Sequence, residues 1–112
     1  MYNTDKAICF NMLEAANKIF DISKSLTSVE DFKNDYIRFD AIMMNFVVIG
    51  EMVSKLSGNF KNNHSDIEWR KINSFRNIIA HDYFGIDDKE IWQILHNKLP
   101  QLKNKLEKVL DL

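Results

Sequence analysis

Apolar residues recur every three or four positions in five successive stretches of the chain, which is the spacing of one face of an α-helix. In the first stretch, Ile8, Met12, Ala15 and Ile19 fall on one face. No stretch shows the two-residue alternation of a half-buried strand. The pattern therefore predicts an all-α fold, an up-and-down bundle of about five helices that forms one domain over residues 1–112. The expected helices cover residues 4–23, 27–57, 65–85, 87–99 and 100 onward.

Short polar side chains, glycine and proline mark the expected ends of these helices. Two pairs have the spacing of capping boxes, in which each side chain bonds to a backbone N–H of the first turn: Thr27 with Glu30, and Ser65 with Glu68. Gly58 fits the C-terminal cap of the second helix, which is expected to bend near Asp35. Pro100 suits the first turn of the final helix, because the N–H that proline lacks has no helical partner there.

The segment from Ala41 to Leu56 is the most apolar part of the chain. Eleven of its sixteen residues are apolar, and they cover the predicted helix on nearly every side. Such a helix is either the centre of the core or a core helix that also gives one face to a second subunit, and the sequence leaves both open. Gly50 permits close approach of another backbone. Glu51 is expected to have a charged partner, because an unpaired carboxylate in apolar surroundings is costly.

The composition is that of a small globular protein, with 46% hydrophobic and 28% charged residues. Its single cysteine, Cys9, leaves no internal disulfide and is typical of a reducing compartment. The sequence begins without an apolar targeting segment, and its longest apolar run is far shorter than the roughly 20 residues that span a bilayer. We therefore expect a cytoplasmic protein with no membrane contact. A net charge of −1 means that any nucleic acid must bind to a local patch.

The segment Arg-Asn-Ile-Ile-Ala-His-Asp-Tyr, residues 76–83, combines a permanent cation with an imidazole. Arg76 keeps its proton near neutral pH and can hold a phosphate while negative charge builds on it. Imidazole gains and loses its proton near neutral pH, so His81 can accept or donate one. These two groups suit phosphodiester cleavage without a metal. On a straight helix they lie about 140° apart, so they converge only through the reach of the arginine, a distortion near Gly85, or a two-fold axis.

The same residues also have a purely structural interpretation. Arg76 lies beside an apolar stripe and can form an ion pair, with Glu51 as the candidate partner. His81 near a helix end can bond to carbonyl groups and interact with the helix dipole. Asn77 can be a simple surface residue, and Tyr83 can sit at the edge of the core. Spacing alone does not separate the two interpretations.

Other chemistries have less support in the sequence. His64, His81 and His96 lack the spacing of metal ligands, and one cysteine cannot build a zinc site. The chain also lacks a glycine-rich phosphate loop and a nucleophile elbow. We therefore expect neither a metal nor a cofactor.

Several of these features together resemble the HepT-like proteins of the HEPN (higher eukaryotes and prokaryotes nucleotide-binding) superfamily. The resemblance rests on residues that follow one another in the family's order: Gly50-Glu51, Trp69, Arg76-Asn77, His81-x-Tyr83-Phe84 and Ile91-Trp92. It covers nearly the whole chain. It implies a single HepT-like domain with a HEPN-like helical fold that forms a homodimer.

The resemblance also implies a function, that of the toxin component of a type VII-like toxin–antitoxin pair. The implied activity is metal-independent cleavage of RNA, a tRNA or an mRNA, at a dimer-interface site with Arg76 and His81 as the catalytic pair. Asn77 and Glu51 would support that pair. The implied antitoxin is a cognate minimal nucleotidyltransferase, which attaches AMP to Tyr83 and so silences the toxin.

The chemistry of RNA is compatible with that expectation, because RNA carries its own nucleophile, the 2'-hydroxyl. His81 would take the hydroxyl proton and Arg76 would stabilise the phosphorus centre, leaving a 2',3'-cyclic phosphate and a 5'-hydroxyl. A second proton-transfer group is needed, and His81 of a second protomer would supply it. Two other interpretations stay open. One is a non-catalytic substrate-binding subunit, or target, of a two-part nucleotidyltransferase, and the other is a plain helical dimerisation module.

Overall fold

The computed structural model describes residues 3–112, which form seven α-helices and one short 3-10 turn and include no strand. The elements are α1 Asn3–Ser23, α2 Val29–Asn34, α3 Tyr36–Lys55, α4 Gly58–Asn63, α5 Trp69–His81, the 3-10 turn Tyr83–Gly85, α6 Asp88–His96 and α7 Lys98–Val109. The predicted all-α class is confirmed. The five longest helices correspond to the five predicted ones, while α2 and α4 have six residues each. None of the described helices combines the length and apolarity needed to cross a membrane.

The core lies where α1 and α3 pack together. Helix α3 also packs on α5, α7 covers α1 and α6, and α2 contacts α3 and α6. The predicted apolar face of α1 is confirmed, since Ile8, Met12, Ala15 and Ile19 are all buried. Each large aliphatic side chain that leaves water in this way contributes about 1.5–3 kcal/mol. Packing of apolar faces therefore stabilises the bundle more than helix propensity does.

Helix α3 is buried on one side and open on the other. Its buried residues are Ile42, Met43, Phe46, Ile49, Gly50 and Val53. On the open side, Ile37 and Met44 are 67% and 62% exposed. The buried side of α3 is the core helix expected from the sequence. The open side presents apolar side chains to solvent.

The start of the second helical region differs from its prediction by one residue. Ser28, and not Thr27, is the N-cap of α2, and its hydroxyl accepts a hydrogen bond from the Asp31 backbone N–H. Asp31, and not Glu30, completes the box, since its carboxylate accepts bonds from the N–H and hydroxyl of Thr27. The shift buries Phe32 completely. The bend expected near Asp35 is a break, because Asp35 ends α2 and caps α3.

Two further boundary predictions are wrong. Gly58 does not end a helix but begins α4, because the Ser57 hydroxyl accepts from the Phe60 N–H and Phe60 is buried. Ser65 with Glu68 is not a capping box, since α5 begins at Trp69 with no side-chain cap. A turn precedes Trp69 instead and buries both its ring and Ile67, where the indole N–H donates to the His64 carbonyl at 3.1 Å. Apolar burial outweighs the capping signal at this point.

The end of α5 comes earlier than expected. The helix ends at His81, and Asp82 leads into the 3-10 turn that ends at Gly85. A Cβ at Gly85 would lie 2.5 Å from both carboxylate oxygens of Asp82, so a larger residue there would require the exposed Asp82 side chain to move aside. Pro100 stands third in α7, within its first turn as predicted.

Candidate functional site

Arg76 lies in the middle of α5, at the point where this helix meets α3. The two helices approach closely because α3 has no side chain at Gly50. A Cβ at that position would overlap the Cβ of Arg76 and lie 2.6 Å from its Cγ. The backbone of α3 therefore positions the Cβ and Cγ atoms of Arg76, independently of the contacts that its guanidinium makes. The position of Arg76 thus depends on the glycine at position 50, although the two residues are distant in the sequence.

The guanidinium of Arg76 is held by two neighbours. One terminal nitrogen donates to the Glu51 carboxylate, and the other donates to the Asn77 side-chain oxygen at 3.0 Å. The Arg76 and Glu51 side chains are 29% and 40% exposed, so water still reaches both. A pair of this kind adds about 1 kcal/mol or less to stability. Its main effect is to orient the guanidinium.

This arginine keeps donors that the protein does not use. A guanidinium has five N–H donors, and Glu51 and Asn77 take one each. The Nε atom is buried and has no hydrogen-bond partner among the residues that the structure describes. Two N–H groups on the terminal nitrogens are left for an oxyanion. The ion pair expected in the structural interpretation is thus present, and it is compatible with phosphate binding.

His81 is the last residue of α5, and its side chain is exposed. Within residues 3–112 its imidazole makes no hydrogen bond, either to Arg76 or to any other group. Five helical residues place His81 about 140° round the axis from Arg76. The structure therefore joins Arg76, Glu51 and Asn77 by hydrogen bonds, and within residues 3–112 His81 is not part of that network.

Tyr83 stands in the 3-10 turn, and its hydroxyl donates a hydrogen bond to the Asp40 carboxylate of α3. Its ring is half-buried and lies edge-on to Phe39 and to Phe84, with ring centroids 6.0 and 5.7 Å away. Burial, and then the neighbouring Asp40 carboxylate, raise the pKa of the Tyr83 phenol well above its usual value. Both effects disfavour the phenolate.

Sequence reasoning missed Asp40. It stands 43 residues before Tyr83, and no helical spacing or motif connects the two. Its position just before the apolar segment Ala41 to Leu56 is the signal that the sequence offers. The contact exists because the end of α5 and the turn after it pack beside the start of α3.

An apolar cavity of about 240 Å³ lies between α3, α5, α6 and α7. Phe46, Ile72 and Phe75 line its interior, and Lys71 and Lys98 stand among the polar residues around it. Arg76, His81 and Tyr83 are not among its lining residues. The candidate site therefore lies outside this cavity, along the contact of α3 and α5, where the Arg76 and Glu51 side chains are partly exposed.

A helical bundle with a basic clamp and an exposed imidazole on its surface fits the class of proteins that act on nucleic acids. The family model described as "HepT-like: Ribonuclease HepT-like" matches residues 12–109 of the chain. The match includes the whole α3–α5 contact and the turn that bears Tyr83. The chain therefore belongs to the HepT-like ribonuclease family, and the resemblance noted in the sequence is confirmed.

Curated relatives from several organisms are similar over most of their length. "Putative RNase MJ1380" of Methanocaldococcus jannaschii is 31% identical over 91% of this chain and 93% of its own. "Probable ribonuclease HepT" of Thermococcus cleftensis is 29% identical over 97% and 98%. "Putative RNase TTE0752" of Caldanaerobacter subterraneus is 31% identical over 75% of both chains. No solved structure gives a significant match.

Proposed function

We propose that this protein is a ribonuclease that cleaves RNA without a metal, with Arg76 and His81 as its catalytic residues. One observation carries the proposal: the Arg76 guanidinium is fixed by Gly50, Glu51 and Asn77, yet keeps terminal N–H groups for a phosphate. An exposed imidazole follows on the same helix. Membership of the HepT-like ribonuclease family and the names of the relatives support the choice of RNA as substrate.

The proposed reaction uses the 2'-hydroxyl of RNA as the nucleophile. His81 takes the hydroxyl proton, the oxygen attacks the adjacent phosphorus, and the bond to the 5'-oxygen breaks. Arg76 donates hydrogen bonds to the phosphate oxygens, on which negative charge develops. Asn77 keeps the guanidinium in place. The products are a 2',3'-cyclic phosphate and a 5'-hydroxyl.

The leaving 5'-oxygen needs a proton, and one imidazole cannot act as both base and acid in a single step. We propose that the protein is a homodimer in which His81 of the partner subunit supplies that proton. Ile37 and Met44 on the open side of α3 offer an apolar surface for the second copy. A site shared by two protomers would also place a second imidazole near each Arg76, which makes no hydrogen bond to His81 of its own chain within residues 3–112.

We further propose that the protein is the toxin of a toxin–antitoxin pair and that AMP transfer to Tyr83 silences it. The antitoxin is a minimal nucleotidyltransferase. A nucleotidyl group on the Tyr83 oxygen brings a negative charge and considerable bulk two residues after His81, where it competes with RNA for the arginine. The Tyr83→Phe variant should keep most of its ribonuclease activity and escape silencing when the antitoxin and ATP are added. Mass spectrometry of the co-expressed pair should find the adduct on Tyr83, and normal silencing of the variant would contradict this role.

The decisive experiment for the ribonuclease is RNA cleavage by purified protein. Arg76→Ala and His81→Ala should each lower the rate by about 100- to 10,000-fold, the usual contribution of such groups. Lys71→Ala and His96→Ala are the matched controls, because Lys71 is another paired cation of α5 and His96 is the last residue of α6. Both controls should cleave normally. Nucleotide binding without cleavage by the wild type would instead favour the substrate-binding subunit of a two-part nucleotidyltransferase.

A further inference from the structure

The hydroxyl of Tyr83 has one partner in the structure, the carboxylate of Asp40. Phe39, which packs against the core, lies edge-on to the phenol and helps to fix its direction. Phe39 immediately precedes Asp40 on α3, so the same helix turn holds the ring and accepts its hydrogen bond. Asp40 itself is exposed to solvent. A reactant can therefore approach the oxygen of Tyr83 while the carboxylate remains in contact with it.

We propose that Asp40 orients the Tyr83 hydroxyl and takes its proton when Tyr83 attacks a nucleoside triphosphate. The proposal rests on the proposed function, in which Tyr83 accepts AMP. In this step the Tyr83 oxygen forms a bond to the α-phosphorus of ATP. The bond from that phosphorus to the bridging oxygen of the pyrophosphate group breaks, and pyrophosphate leaves. The proton of the phenol passes to the Asp40 carboxylate.

A base is needed here because the phenol does not ionise readily by itself. A free tyrosine has a pKa of about 10, and burial together with Asp40 raises the pKa of Tyr83 further. Very little phenolate exists at neutral pH, so the oxygen must lose its proton during the attack. A carboxylate already in hydrogen-bond contact can accept that proton without any rearrangement.

The other charged groups near this turn are engaged elsewhere or face away from the hydroxyl. Arg38, two residues before Asp40 on α3, pairs with Asp35 at 2.9 Å. The Asp82 carboxylate lies against Gly85 on the turn itself. His81 makes no hydrogen bond to Tyr83 within residues 3–112. Asp40 is thus the group whose removal should change the proton transfer.

The test measures transfer of AMP from labelled ATP to this protein by the minimal nucleotidyltransferase of the proposed toxin–antitoxin pair. At pH 7, Asp40→Asn should lower the maximal transfer rate about 100-fold or more with little change in KM. Asp40→Glu, which keeps the carboxylate, should recover a large part of the rate. Asp21→Asn is the matched control, because Asp21 is exposed on α1 and, among residues 3–112, its carboxylate pairs only with Lys24. Its rate should equal that of the wild type.

The pH profile separates a base from a merely structural residue. The wild-type rate should change little between about pH 7 and 9, whereas the Asp40→Asn rate should rise nearly tenfold per pH unit as phenolate forms. Titration of the phenol by ultraviolet absorbance should also show a lower pKa for Tyr83 in Asp40→Asn, since the neighbouring negative charge is gone.

Each outcome supports or overturns the role of Asp40. An Asp40→Asn variant that transfers AMP at the wild-type rate overturns it, and Tyr83 then remains the acceptor without this base. A slow variant with the wild-type pH profile and no recovery in Asp40→Glu also overturns it. No AMP on Tyr83 of the wild type would overturn both this role and the proposed silencing, while leaving the ribonuclease activity to be judged separately.

Discussion

The two ends of the α5 motif are built in opposite ways. Arg76 is packed against α3 through Gly50 and hydrogen bonded by Glu51 and Asn77. His81, about one and a half turns later, is exposed and makes no hydrogen bond within residues 3–112. The Arg76 guanidinium is therefore oriented before substrate binds, whereas no hydrogen bond orients the His81 imidazole.

The difference follows from what each group has to do in the proposed reaction. A cation that stabilises developing charge works best when it is already oriented, because no reorganisation is then needed during the reaction. An imidazole that exchanges protons with two oxygens of the substrate needs access to them. We therefore expect the single chain to hold a finished phosphate clamp and the assembled dimer to complete the proton transfer.

Among variants that leave the α5 motif intact, the largest expected effect comes from separating the protomers. Met44→Glu places a charge on the open apolar side of α3, where Met44 is 62% exposed in one chain. The variant should be monomeric by light scattering at micromolar concentration and should lose about 100-fold or more of its cleavage rate, as expected for a missing acid–base group. Phe10→Glu on α1 is the control, since Phe10 is 49% exposed and lies outside the proposed interface. A monomer with full activity would contradict the shared site.

A smaller effect is expected from the packing that fixes Arg76. Gly50→Ala puts a methyl group where the Cβ and Cγ of Arg76 lie, so one of the two helices must shift. Overpacking of this kind costs about 1–3 kcal/mol. Urea denaturation should therefore show a lower free energy of unfolding, and RNA cleavage should fall because the clamp is displaced.

Gly58 provides the matched control for that substitution. It begins α4, and a Cβ there would meet nothing within 4 Å. Gly58→Ala should keep or slightly raise the free energy of unfolding, by about 0.4–1 kcal/mol. Equal destabilisation by the two alanines would mean that the Gly50–Arg76 contact does not fix the arginine.

The smallest effect is expected from Glu51→Gln. The amide can still accept a hydrogen bond from Arg76, and the pair it replaces is partly exposed. The free energy of unfolding should fall by about 1 kcal/mol or less. RNA binding, measured by fluorescence anisotropy, should stay equal or become slightly tighter, because less of the guanidinium charge is neutralised. A more than tenfold loss of cleavage would instead assign Glu51 a proton-transfer role.

The long helices could be predicted from the sequence because their apolar spacing and their packing agree. The spacing predicts one buried face for Ile8, Met12, Ala15 and Ile19, and all four are buried. The short helices could not be predicted in the same way. Phe32 and Phe60, each at the centre of a six-residue helix, are buried by tertiary packing that no periodic stretch reveals. The same packing moved the caps from Thr27 to Ser28 and turned Gly58 into a helix start.

Contacts within the candidate site could be predicted only where a residue is unusual for its surroundings in the sequence. Glu51 was a charge within an apolar helix, which indicated a pairing partner, and Arg76 is that partner. No comparable signal in the sequence pairs Asp40 with Tyr83, because their contact depends on how the turn after α5 folds against α3. The catalytic roles of Arg76 and His81 stay predictions, because within residues 3–112 no hydrogen bond joins the two side chains.

Metal-free cleavage with His81 as the base can be tested by comparing one RNA in EDTA with the same RNA that carries a single 2'-O-methyl group at the cleavage position. We expect the first RNA to be cut at the normal rate, leaving a 2',3'-cyclic phosphate end, and the methylated position to resist cleavage. His81→Ala should remove the cut in the first RNA. Loss of cleavage in EDTA with recovery on adding magnesium, or cleavage at the methylated position, would contradict the assignment of His81 as the base.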